Sequence, residues 1–114
     1  MSLIDLQALC EAELHTDPFA YMVVPGFLSP EVLARVNADY PAIDTAANHA
    51  LDNLQYGPAF AELMRELQSR DFAAVLGERF HMDLASLPTT VTVRKFCERT
   101  DGNIHTDHKS KVVT

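Results

Sequence analysis

Nowhere in this 114-residue sequence is there an apolar run approaching the ~20 residues that a membrane-spanning helix needs. The first residues, Met1 to Asp5, lack the basic start and apolar stretch of a secretory leader. There is no low-complexity tract and no block of like charge, so nothing points to disorder. Cysteine is scarce. Cys10 and Cys97 stand far apart, neither in a Cys-x-x-Cys pair nor among histidines, which argues against a zinc site or a redox pair and predicts two reduced, largely buried thiols. No internal repeat is visible. A soluble, cytoplasmic protein is the default expectation.

What the chain has is a composition 47% apolar, enough for one packed core, and a length that suits one small domain. Its net charge of −7 argues against a nucleic-acid backbone as partner. The charge is uneven. Residues 1–93 carry four basic and thirteen acidic side chains, whereas residues 94–114 carry five basic (Arg94, Lys95, Arg99, Lys109, Lys111) and three acidic (Glu98, Asp101, Asp107). A locally positive end suits a small anionic ligand.

Apolar periodicity predicts helices first. Ser2 is placed to cap one that carries Leu3, Leu6, Leu9 and Leu14, closed by Pro18. Tyr21 to Val24, stopped by Pro25-Gly26, reads as a short buried strand. Ser29-Pro30-Glu31 is a strong helix start, with Val32, Leu33, Val36 and Tyr40 as its apolar face and Pro41 as its end. Residues 41–57 read as a long loop. Pro58 opens a helical pair with stripes Phe60, Leu63, Met64, Leu67 and Phe72, Val75, Leu76, Phe80, which are core stripes. After Leu87-Pro88 the pattern alternates. Thr89 to Cys97 reads as a strand, Asp101-Gly102 as a hairpin turn, Ile104 as the start of a second strand, and Lys111 to Thr114 as the opening of a third. Helical residues 1–87 with one early strand, followed by β residues 88–114, make an α+β order within a single domain. A third strand opening at the last residues leaves an exposed edge, so the chain is expected to be truncated or to close its sheet on another copy.

Five histidines stand in the sequence, and three are followed two residues later by aspartate: His15/Asp17, His81/Asp83 and His105/Asp107. The first two fall at expected helix ends, where Asp17 suits a turn and His81 suits the negative helix pole. Residues two apart on a helix point about 200° away from each other, but on a strand they share a face. Only His105 and Asp107 are expected on a strand. One imidazole and one carboxylate on one face make two corners of a 2-His-1-carboxylate triad, which leaves Fe(II) open positions for a bidentate 2-oxo acid and O2. His108 falls on the opposite face and reads as a surface or supporting residue.

Residues 91–107, with Phe96 nine positions ahead of His105 and Gly102 in the loop between, resemble the first strands of the double-stranded β-helix in the 2-oxoglutarate/Fe(II)-dependent oxygenases, most closely the prolyl-hydroxylase-like branch. Val23-Val-Pro-Gly-Phe-Leu-Ser-Pro-Glu31 resembles an opening common in that superfamily. The likeness implies helices packed on an incomplete double-stranded β-helix (a jelly-roll, cupin-like fold), His105 and Asp107 as iron ligands, Phe96 near the cosubstrate, Fe(II) and 2-oxoglutarate as cofactor and cosubstrate, and a dioxygenase that hydroxylates a small-molecule or peptide substrate. In that family a second histidine and a basic residue that pairs with 2-oxoglutarate come far downstream. Seven residues stand after Asp107 here, so weak or no iron binding and no turnover are expected of this chain alone. Phe96 also lacks the hydroxyl that a tyrosine would offer. A non-catalytic cupin-like module and a small domain that self-associates through an open sheet edge are the alternatives. No membrane or nucleic-acid partner is expected.

Overall fold

The computed structural model describes residues 2–99 and 111–114. The described residues form four α-helices, α1 (Leu6–Glu11) and α2 (Pro30–Ala38) ahead of the first strand, and α3 (Pro58–Leu67) and α4 (Arg70–Phe80) between the two strands. Two strands, β1 (His49–Ala50) and β2 (Thr92–Val93), pair antiparallel, with His49 opposite Val93 and Ala50 opposite Thr92. A 3-10 turn, Leu51–Asn53, comes directly after β1.

Local chemistry sets the helix starts. The Ser29 hydroxyl accepts from Val32 N–H and Pro30 fills the first helical position of α2. Ser69 does the same for α4 through Phe72 N–H, which splits the apolar stretch after Pro58 into α3 and α4. The helix α3 has no side-chain cap of its own, because Gly57 precedes it. Asp39, just past α2, supplies one: its Oδ2 accepts from Ala59 N–H at 2.6 Å. The same carboxylate explains Gly57, where any Cβ would collide with the Asp39 side chain. At the other end of the pair, α4 stops in a left-handed residue, His81 (φ 57°). Met82 N–H reaches back to Gly77 O at 2.8 Å and His81 N–H to Glu78 O at 3.4 Å, the bonding pattern that closes a helix over its own last carbonyls. Gly77 is buried there because a Cβ would meet the Met82 carbonyl.

The core lies among α2, α3 and the strands. Val36, Phe60, Leu63, Met64, Ile4, Ile43 and Val93 form its buried set. Phe60, 3% exposed, receives Tyr40 edge-on at 5.4 Å and Tyr56 at 5.0 Å. Leu9 is buried where α1 packs on α4.

Several expectations fail on the described residues. Ser2 caps no helix. Asp5 does, accepting from Ala8 N–H, while the Ser2 hydroxyl bonds Glu66, so α1 is shorter than its leucine pattern. The stretch Tyr21 to Val24 is not a buried strand. Its only described bridge joins Tyr21 to His15, and Val23 is 71% exposed. No other described strand lies alongside it, so Val23 stays in solvent while Val24 is only half-buried. The expected strand over 89–97 shortens to Thr92–Val93, since its partner β1 is two residues long and then coils into the 3-10 turn. That partner arises in residues 41–57, read as a loop. Ile43 is buried there, and Leu51, Leu54 and Tyr56 pack on the core. The two cysteines are free, as expected, but exposed rather than buried. The described residues mix helices with one two-stranded sheet, and no jelly-roll or cupin-like sheet is formed among them.

Candidate functional site

The segment that leads to His105 leaves the helical core through β2. Alternation sorts its side chains: Val93 is buried and Val91 half-buried, while Thr92 is exposed. A bond from α2's end fixes the exit, since the Tyr40 hydroxyl donates to Arg94 O at 2.8 Å. The Arg94 guanidinium reaches across to β1's approach, where Nε donates to Asn48 Oδ1 at 2.9 Å and Nη1 lies 3.6 Å from Cys97 Sγ. Beside it the His49 ring and the Thr45 hydroxyl stand 3.3 Å apart. Asn48, His49, Arg94 and Cys97 thus make a polar rim where the two strands meet.

Phe96 falls on this rim, three residues past Val93. Its ring is 43% exposed, with Lys95 Nζ 5.5 Å from the ring centre. An apolar ring under a cation can pack against a ligand but cannot hydrogen-bond one. His105, Asp107 and His108 lie outside the described residues, as do Asp101 and Gly102 of the expected turn. Among the described residues, no three or more His, Cys, Asp or Glu side chains come together in a group able to hold a metal. In the other two His-x-Asp pairs, His15, His81 and Asp83 have local duties. His15 pairs with Tyr21 by main chain and by a ring stack at 4.8 Å. His81 ends α4, and the Asp83 carboxylate accepts from the Ser86 hydroxyl at 3.0 Å.

A carboxylate whose environment moves its acidity stands on α3. Glu66 on α3 accepts from the Ser2 hydroxyl, Leu3 N–H at 2.8 Å and Ile4 N–H at 3.1 Å. Partial burial pushes its carboxyl up, but these donors outweigh burial and hold it below the ordinary glutamate value. It clamps the N-terminal segment to α3, a structural task.

The residues that sequence reading misses are those of the rim. Tyr40 reads as the last apolar position of α2, and His49 as a loop residue. Their roles depend on partners 44 and 54 positions away, which no local pattern reports. Comparison with family models, with curated proteins and with solved structures finds no match for this chain.

Proposed function

We propose that residues 1–114 form the N-terminal part of an Fe(II)- and 2-oxoglutarate-dependent oxygenase built on a double-stranded β-helix, with His105 and Asp107 as two of the three iron ligands. The observation that carries this is the placement of a His-x-Asp pair nine residues after Phe96, on a β-patterned segment that resembles the metal-bearing strand of that superfamily. The described part of that segment supports it indirectly. A strand at Thr92–Val93 is seated on the helical core and bolted by Tyr40, so the chain leaves the core from a fixed point. An imidazole and a carboxylate two apart on an extended chain face one way and leave the rest of the metal's coordination open.

When bound, Fe(II) and 2-oxoglutarate would activate O2 as the oxidant, with succinate and CO2 as coproducts. The residues of this chain hold and orient. Phe96 offers an apolar face, and the basic side chains Arg94, Lys95 and Arg99 favour an anionic cosubstrate nearby. The family's second histidine and the residue that pairs with the cosubstrate carboxylate have no assigned counterpart among these residues.

The test is Fe(II)-dependent succinate formation from 2-oxoglutarate by a protein that carries residues 1–114 together with the chain beyond Thr114. Succinate is expected, and His105→Ala and Asp107→Ala should each abolish it while the fold is kept. A folded protein that forms no succinate, or one indifferent to both substitutions, refutes the assignment. The described sheet of two short strands favours a second reading, a small domain that completes its sheet on another copy. A size in solution that grows with concentration distinguishes it.

A further inference from the structure

The first basic side chain in the sequence is Arg35, and ahead of it stand five carboxylates, Asp5, Glu11, Glu13, Asp17 and Glu31. Inside this wholly acidic stretch the backbone closes a loop. His15 N–H donates to Tyr21 O at 2.8 Å and Tyr21 N–H to His15 O at 2.9 Å. The closure sets rings side by side. His15 stacks on Tyr21 at 4.8 Å, and Phe19 meets Tyr21 edge-on at 5.7 Å. Packing does not hide them: Phe19 is 66% exposed, Tyr21 38% and Val23, two residues further on, 71%. Met22 and Val24, which alternate with them, are half-buried and anchor the ledge to the protein.

The rim of the ledge is anionic. Glu13 extends into solvent with its carboxylate 3.9 Å from the His15 ring, and Asp17 lies exposed within the loop itself. Arg79 approaches from α4 but is half-buried and directs Nη2 to the Ala12 carbonyl, so it does not neutralise the outer rim. Aromatic side chains held rigid and open to solvent cost little entropy to cover, which is why such clusters concentrate binding energy. Carboxylates around them select the sign of what binds. An anionic lipid surface is repelled, and so is a second copy of a chain with net charge −7.

We propose that the ledge formed by His15, Phe19, Tyr21 and Val23, with Glu13 and Asp17 at its rim, docks a lysine- or arginine-bearing apolar segment of a partner protein. The aliphatic or aromatic side chain of that segment covers Phe19 and Val23, and its cation sits between the carboxylates and the tyrosine ring. This docking surface is independent of iron and of any oxidation.

Selection of a random peptide library against the full chain tests it. The enriched peptides are expected to carry net positive charge with at least one large apolar residue. Phe19→Ser and Val23→Ser should each weaken the best peptide by about tenfold, the effect of removing one interface anchor. Charge reversal by Glu13→Lys with Asp17→Lys should weaken it about three- to tenfold at low salt, and less as salt rises. Leu33→Ser, which removes an exposed apolar side chain from α2, should leave binding unchanged. Unchanged helix signal and melting temperature verify that each variant is folded. An absence of enriched peptides, enrichment of neutral or acidic ones, or binding that survives both ledge serines overturns the proposal. So does self-association of the chain that the same serines abolish, because the occupant would then be a second copy.

Discussion

The helical pair α3–α4 and the strand pair β1–β2 are held in place by different kinds of information. The starts of α1, α2 and α4 are set within a few residues by Asp5, Ser29 and Ser69, and α3 opens through Gly57 and Pro58 with a cap lent by Asp39. The strand pair joins His49 to Val93 across an intervening helical hairpin, and it is kept there by Val93 in the core and by one hydroxyl from Tyr40. Local signals are easy to satisfy and hard to lose. A sheet of two two-residue strands has little stability of its own and takes its position from what it packs against. The part of the chain that approaches the candidate site is therefore the part most dependent on the helices.

The sharpest way to break this contrast is at their shared centre. Phe60→Ala removes the ring on which Tyr40 and Tyr56 pack, and should cost about 3–5 kcal/mol in denaturant unfolding. If the strand pair leans on the helices, amide protection at Thr92–Val93 should fall with the global stability rather than independently of it.

Glu66→Gln comes next. It weakens three contacts to Ser2, Leu3 and Ile4 and should cost about 1–3 kcal/mol at neutral pH. The sign of the pH effect comes from the depressed carboxyl. Its contribution is fully present above the unfolded glutamate value of 4.5 and is lost as pH falls through the lower folded value. Unfolding curves should thus show wild type and variant converging below that range. Parallel curves throughout would mean that the clamp does not depend on the charge.

Tyr40→Phe isolates the bolt. Loss of one hydroxyl should cost about 1 kcal/mol globally. Hydrogen exchange should quicken at β2 more than in α3, which would separate the strand pair from the helices. The smallest effects belong to the local caps. Ser29→Ala and Ser69→Ala should each cost about 1 kcal/mol or less, confined to the first turns of α2 and α4 and without change at β2.

Legibility in the sequence divides along the same line. The start of α2 and the stripes of α3 and α4 are written in neighbouring residues. Leu33 belongs to the apolar face by its spacing yet is 46% exposed, because a pattern of four apolar positions does not say how wide the facing surface is. The stretch Tyr21 to Val24 has the composition of a strand, but among the described residues no strand neighbours it. Thr89 to Cys97 has the alternation of a long strand, but its ladder stops where its partner turns away. Glu66 and Asp39 act on segments far from themselves in sequence, so no local pattern reveals their roles. The His-x-Asp pair is legible only as a pattern. Three such pairs stand in the chain, and the structure gives local duties to His15, His81 and Asp83.

The third is tested most directly by its geometry. A solution NMR structure of this 114-residue chain that defines residues 100–110 should show an extended backbone at His105 to Asp107, with the imidazole and the carboxylate on one side and Thr106 on the other. A helical turn there, or His105 and Asp107 on opposite sides of the backbone, would contradict the assignment of iron ligands to this chain.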